Sequence, residues 1–281
     1  MVKCTIGDAL KQGIALLNEN LIDSAGLDAR VIMCHVLSCD KLYLAVHKDE
    51  EISNEKKEEF ISLVKRRALC EPLGYILNHR EFMSLDFYVD KNVLIPRPDT
   101  EILVEKVISH FEGKTPYITD MCTGSGAIAV SLAKYLPGAK LTGLDISPEA
   151  VKIASMNAEK NEVSDFCKFS VHDVLRPYEI LADAVVSNPP YIPAAEIETL
   201  DETVKSFEPR IALDGGDDGL TFYRAIVKNS HYSLKKGGLL AFEVGCNLAG
   251  DVAAFMEKDF CDIGILSDLA GIERVVYGIR K

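Results

Sequence analysis

Asn188-Pro189-Pro190-Tyr191 is the stretch of this chain whose residue types most narrowly limit the chemistry they can do. It follows Ala182-Asp183-Ala184-Val185-Val186-Ser187, which reads as a buried strand. An amide or exocyclic amine has its lone pair delocalised into a π system and is a poor nucleophile, so attack on a methyl group needs that nitrogen fixed and polarised. The Asn188 side-chain oxygen and the Pro189 carbonyl can accept two N–H bonds, and Tyr191 can pack on the flat group. Proline at both central positions removes backbone donors and holds φ, which leaves the carbonyls free to accept. The plainer reading of the same four residues is a rigid strand exit with a half-buried tyrosine.

A second candidate lies upstream. Asp120-Met121-Cys122-Thr123-Gly124-Ser125-Gly126 follows one strand-like run and opens a helix, and glycines there let the backbone approach a ligand closely. The free N–H groups of the helix start favour an anionic group. Asp145 ends the next strand, where a dinucleotide fold places the carboxylate that takes ribose hydroxyls. Dinucleotide and S-adenosylmethionine sites share these features, and the loop alone does not choose between them. The third glycine of Gly-x-Gly-x-x-Gly falls at Ala129, which the nicotinamide fingerprint tolerates. Asp173, after Phe169-Ser170-Val171-His172, can accept from an adenine amino group or can be an ordinary solvated acid.

These residues need a scaffold. Strand-like runs at 117–122, 140–145, 166–172, 182–187, 239–244, 262–267 and 273–280 alternate with helix-like ones, which predicts a doubly wound α/β sheet. Ser147-Pro148-Glu149 reads as a helix start, and Thr100-Glu101 as another. Only Asp268 and the run Leu269-Ala270-Gly271-Ile272 separate the last two strands, so they must pair antiparallel. Residues 1–75 read as helices, with Ile6, Leu10, Ile14 and Leu17, then Leu27, Val31, Cys34 and Leu37, then Phe60, Leu63 and Val64 at helical spacing behind a start at Ser53. This part is either a helical cap or a docking module. Residues 76–95 read as a hairpin linker, and residues 96–281 as the domain that carries the chemistry.

Composition sets the outer bounds. With 48% hydrophobic and 26% charged residues, 281 residues can bury enough apolar surface to fold. A formal charge of −12 opposes bulk binding to a phosphate backbone. No apolar run is long enough to span a bilayer, and Met1-Val2-Lys3-Cys4-Thr5 leads into an amphipathic segment rather than a signal core, so a cytoplasmic protein is expected. The eight cysteines contain no Cys-x-x-Cys pair and read as buried, reduced thiols; no metal site is expected.

Together the motifs resemble a known family. Asn188 to Tyr191, the glycine loop and Asp145 are similar to the amino-group S-adenosylmethionine-dependent methyltransferases. Glu81-Phe82-Met83, Leu94-Ile95-Pro96-Arg97-Pro98-Asp99-Thr100-Glu101, Phe207-Glu208-Pro209-Arg210-Ile211-Ala212-Leu213 and Glu273-Arg274-Val275-Val276 narrow the resemblance to the protein-(glutamine-N5) methyltransferases that modify peptide chain release factors. The resemblance implies a Rossmann-like, seven-stranded class I methyltransferase sheet with an antiparallel last strand and a small N-terminal helical substrate-docking domain. It implies S-adenosyl-L-methionine as cofactor and the glutamine of a Gly-Gly-Gln loop in bacterial release factors as target. By this analogy Cys122, Thr123, Gly124, Ser125 and Gly126 hold the methionine part, Asp145 the ribose, and Asp173 with Val174 the adenine. Asn188, Pro189, Pro190 and Tyr191 hold the glutamine amide, with Asn188 also beside the cofactor. Arg97 and Glu101 are candidates to shape the peptide groove, or to bridge loops by ion pairing, as is Arg210. Two departures stand out: Cys122 where many members have glycine, and Glu243 to Leu248, which lacks a glutamine many relatives carry. The competing readings are a ribosomal-protein glutamine methyltransferase, a nucleic-acid amino methyltransferase, a non-catalytic cofactor-binding scaffold and a nicotinamide oxidoreductase.

Overall fold

The computed structural model describes residues 4–281, so Met1 to Lys3, where the expectation about a signal core begins, lie outside the described residues. The chain divides into two compact units, one running up to Asn78 and including Asp201–Phe207, the other made of His79–Leu200 and Glu208–Lys281.

The first unit contains α1 (Ile6–Glu19), α2 (Ala25–Leu37), α3 (Lys41–Val46), α4 (Asn54–Ala68) and α5 (Leu73–Leu77). Thr5 and Asp8 form a capping box on α1, while Asp40 and Ser53 accept from Tyr43 N and Lys56 N to cap α3 and α4. Leu17, Ile32, Phe60 and Val64 are fully buried together, each contributing about 1.5–3 kcal/mol. Gly13 lets α1 meet α4, because a Cβ there would sit 2.6 Å from the Phe60 ring. The buried stripe of α2 is Ala25, Ala29, Ile32, Met33 and Val36, not the Leu27 series; Leu27 is exposed. Small alanines on that stripe let neighbouring helices come close, and a stripe of alanines is weaker in the sequence than one of leucines. The helical unit runs past residue 75 because α5 continues until Asn78 turns left-handed at φ +51°.

The second unit opens with a two-stranded antiparallel hairpin, β1 (Arg80–Phe82) and β2 (Leu85–Phe87), turning through Met83 and Ser84, both at positive φ. Then follow α6 (Glu101–His110), β3 (Tyr117–Met121), α7 (Ala127–Tyr135), β4 (Lys140–Asp145), α8 (Pro148–Lys160), β5 (Cys167–Val171) and β6 (Ala182–Ser187). The short α9 (Glu202–Lys205) belongs to the first unit. The chain ends with α10 (Thr221–Ser233), β7 (Leu234–Glu243), α11 (Ala249–Met256), β8 (Phe260–Ser267) and β9 (Glu273–Arg280). The hairpin, expected as a separate linker, is part of this unit, with Asn161 Nδ2 donating to Asp86 O at 2.9 Å.

Seven strands form one sheet in the order β5-β4-β3-β6-β7-β9-β8, in which β9 runs against the direction of the other six. The expected α/β sheet with an antiparallel last strand is what the chain builds. Successive side chains alternate between its faces. Ile118, Leu141, Ala184, Val186, Leu239 and Ala241 pack with α6 and α7, whereas Met121, Leu144, Val185, Leu240 and Phe242 pack with α10 and α11. Covered on both faces, the middle of β6 needs no polar alternation, which is why Ala184-Val185-Val186 reads as an apolar run. β7 starts at Leu234 and β8 at Phe260, earlier than expected, because register shifts and the left-handed Gly237 and Asp262 break the strand periodicity there. Not all thiols are buried: Cys246 and Cys261 are exposed, on turns and an edge strand that follow apolar runs.

One buried amide ties three segments of this unit together. Asn157, on α8, accepts from Tyr88 N at 2.7 Å and donates to Tyr88 O at 3.0 Å and Ser125 O at 2.8 Å. Asn157→Ala leaves a buried N–H and two carbonyls unpaired and is expected to destabilise the fold by about 2–4 kcal/mol, read by urea denaturation. A loss below about 1 kcal/mol would mean that water replaces the amide.

Candidate active site

The glycine loop takes its shape from backbone angles that side chains resist. Cys122, Gly124 and Gly126 all have positive φ, at +61°, +54° and +80°. A Cβ on Gly126 would also meet Ala154 Cβ at 2.9 Å, so this glycine lets α7 and α8 close on the loop. Cys122 sits where the backbone is left-handed, a conformation that glycine adopts freely and that a cysteine side chain makes costly. Thr123 anchors the turn: its N–H donates to Leu144 O at 2.9 Å and its hydroxyl to Asp120 Oδ2 at 2.6 Å.

The loop forms one wall of a cavity of about 230 Å³ at the carboxyl ends of β3, β4 and β6. Cys122, Thr123, Gly124, Ser125, Asp145, Asp173, Val174, Asn188 and Pro190 line it, so most of the residues singled out from the sequence meet there. Asp145 Oδ2 accepts from Gly124 N at 2.8 Å and Oδ1 from Ser147 N at 3.0 Å. Each oxygen keeps a further lone pair. Burial pushes this carboxyl up, against the backbone N–H bonds that favour its charge. Asp173 Oδ1 accepts from Leu175 N at 3.0 Å, and Val174 is a buried apolar wall. Ile146, His172, Leu175 and Phe222 are among the other residues of the lining and were not singled out beforehand. An isoleucine directly after a strand-end acid, half exposed beside a cavity, is the available signal for Ile146.

Asn188 stands at the exit of β6. Its Nδ2 donates to Thr100 Oγ1 at 3.4 Å. Thr100 therefore does not cap α6; it closes the 3₁₀ turn Pro98–Thr100 with helical φ and ψ and uses its hydroxyl for the site. Beside both lies Glu243, the last residue of β7, buried, with Oε2 lacking a hydrogen-bond partner. Hydrogen bonding from Thr100 and Asn188 favours its charge, but burial outweighs this and the carboxyl is pushed up to about 7. Glu243 was given no role from the sequence, since nothing local distinguishes it from any acid after an apolar strand.

Pro189 and Tyr191 do not line the cavity. The Tyr191 ring lies against Gly245, where a Cβ would come within 2.8 Å, and Gly215 and Gly219 leave room for its backbone. Burial pushes its phenol well up. Arg97 reaches the cavity and also bonds Glu208 Oε1 at 2.5 Å. Glu101 is elsewhere: its carboxylate accepts from Met83 N at 2.7 Å, holding the hairpin turn to α6. Arg210 pairs with Glu198 and Asp214 on the surface.

Comparison with known proteins gives this geometry its relatives. The model of the PrmC N-terminal domain matches residues 8–77, and that of the methyltransferase small domain matches residues 98–207. A release factor glutamine methyltransferase of Clostridium acetobutylicum is 40% identical over 280 residues, 98% of each chain. One of Geobacter sulfurreducens is 41% identical over 280 residues, 98% of this chain and 96% of the relative. Among solved structures, a methyltransferase from Pyrococcus furiosus superposes with a TM-score of 0.53 over 70% of this chain and 90% of that one, at 16% identity. The ribosomal protein L11 methylase of Lactobacillus delbrueckii subsp. bulgaricus has a TM-score of 0.50 over 69% and 84%, at 19% identity. At such identities these two structures speak for the fold alone.

The buried carboxyls give the site a pH signature. Burial raises Asp120 from 3.8 to about 7, so the folded chain holds this proton more tightly than the unfolded one. Unfolding then releases a proton between about pH 4 and 7, and stability falls as pH rises through that window. Asp120→Asn is expected to flatten the dependence of the urea midpoint on pH across the same window; parallel profiles for the two proteins would contradict the assignment.

Proposed function

Because the chain belongs to the release factor glutamine methyltransferase family, we propose that it methylates the side-chain amide nitrogen of the glutamine in the Gly-Gly-Gln loop of bacterial peptide chain release factors. It is an S-adenosyl-L-methionine-dependent methyltransferase, and the cavity residues fit that cofactor. Asp145 has one spare lone pair on each oxygen for a vicinal diol, Asp173 and Val174 offer an acceptor and an apolar wall for adenine, and the loop Cys122 to Gly126 leaves room for the methionine part. When bound, the cofactor supplies an electrophilic methyl group.

What carries the substrate reading is the Asn188 amide, whose nitrogen is engaged by Thr100 while the side chain lines the cavity. Asn188 Oδ1 and the Pro189 carbonyl accept the two N–H bonds of the glutamine amide, and Pro190 bounds the cavity beside it. Tyr191, set against Gly245, supports this loop from behind rather than facing the cavity. A neutral nucleophile meeting a cation gains more from alignment and exclusion of water than from a strong base. The amide proton is lost late, to water. Arg97, held by Glu208, borders the groove for the peptide; the pairing of Glu101 with Met83 gives that residue a scaffold role instead. The first unit, matched by the N-terminal domain model, serves to dock the release factor. A charge of −12 argues against direct nucleic acid binding, and this reading carries with it a cytoplasmic location. Among the described residues no helix is long and apolar enough to cross a membrane.

Methyl transfer from labelled cofactor to a purified release factor tests the proposal, with the glutamine-to-alanine factor, a ribosomal extract and duplex DNA alongside. Label on the intact factor alone is expected; label only on the extract or DNA would discard the substrate. Asn188→Ala should lower kcat about 100-fold while changing cofactor Kd no more than about twofold. Equal losses in both would remove Asn188 from substrate orientation.

A further inference from the structure

We propose that Glu243 and Thr100 are positioning residues that set which end of the Asn188 side-chain amide faces the substrate, an inference that rests on the assignment of Asn188 to the glutamine amide. Three separate segments deliver the group: the 3₁₀ turn Pro98–Thr100, the exit of β6 and the end of β7. The two ends of an asparagine amide have nearly the same shape, so packing alone does not choose between them. Hydrogen bonding does.

An ionised carboxylate can only accept. Thr100 and Asn188 both lie beside Glu243 and favour its charged form, and Asn188 Nδ2 donates to Thr100 Oγ1 at 3.4 Å. A threonine hydroxyl that turns its proton to the carboxylate keeps a lone pair for the asparagine, whose amino group then faces inward. Asn188 Oδ1 is left facing away from this pair. The reversed amide would set oxygen against carboxylate and would offer donors to a substrate amide that is itself a donor. Shape and charge thus combine to present an acceptor.

Glu243 has no competing structural employment. Arg274, the nearby cation on β9, is paired with Asp99 at 3.0 Å and Asp268 at 2.9 Å. Tyr223 on α10 donates to the Glu243 backbone carbonyl, not to its side chain. One carboxyl oxygen stays buried without a partner, an arrangement that costs stability and that an ion pair would have avoided. The groups facing the carboxyl are Asp99, which pushes it up, Arg274, which pulls it down, and Tyr191 from the loop after β6. Burial outweighs them and holds it at about 7. Below that pH the protonated carboxyl becomes a donor, and the amide loses its fixed direction.

The test measures kcat on a purified release factor at pH values on both sides of 7 for the wild type, Glu243→Gln and Thr100→Val. Wild-type kcat is expected to rise through about pH 7. Glu243→Gln, which can donate as well as accept, should lower kcat about tenfold or more, flatten that rise and leave cofactor KM within about twofold. Thr100→Val should show the same fall in kcat, and it decides the matter alone if Glu243→Gln does not fold. In an Asn188→Ala background Glu243→Gln should cost nothing further. Variants with wild-type kcat and an unchanged pH rise, or losses that add in the double variant, would overturn the inference. A wild-type enzyme that labels no release factor would instead overturn the substrate reading and this inference with it.

Discussion

The structure depends on one topological constraint, the reversal of sheet growth at β3. The chain lays down β3, extends to β4 and β5 on one side, then returns so that β6 and β7 build on the other. Adjacent connections that leave β3 and β6 in opposite directions cannot cover the ends of both strands, so a crevice opens at their carboxyl termini. The candidate cofactor residues and Asn188 stand around that crevice. The glycine loop leaves β3, Asp145 ends β4, Asp173 follows β5, and Asn188 leaves β6. The apolar clusters on both faces of the sheet keep these four strand ends in register, while Asn157 binds the loop to α8.

Within the crevice, polarity has been placed where burial makes it costly. Asp120 holds Thr123, and Glu243 faces Thr100 and Asn188. Both carboxyls are buried and both are raised to about 7. A surface asparagine or threonine could not perform either task, because water would compete for the same hydrogen bonds and erase their direction. Stability is given up locally so that two loops present fixed donors and acceptors to a ligand.

How much of this was legible in the sequence follows from the range of each interaction. Asp145 and Asn188 stand out because a strand end and a turn are local features, and the antiparallel last strand because the five intervening residues, Asp268 to Ile272, forbid a parallel crossover. That β9 slips between β7 and β8 was not legible, since pairing partners across a sheet leave no local mark. Thr100, Asn188 and Glu243 are far apart in the chain; the pairing of β6 with β7 brings the last two close and the turn before α6 adds Thr100, which reads in the sequence as a helix start. Glu101 shows the converse: its motif is distinctive, while the Met83 N–H that its carboxylate accepts, in the left-handed hairpin turn, is not marked in the sequence. Nothing local marks Asn157, because its partners Tyr88 and Ser125 lie far from it in the chain.

The central claim is that Asn188 presents its oxygen to a glutamine amide. It is tested most directly by a crystal structure of the enzyme with S-adenosylhomocysteine and a peptide carrying the Gly-Gly-Gln sequence. The account predicts the glutamine amide nitrogen within hydrogen-bond distance of both Asn188 Oδ1 and the Pro189 carbonyl, with Asn188 Nδ2 still on Thr100. A glutamine amide seated away from Asn188, or one that turns its own oxygen toward the Asn188 amino group, would contradict it.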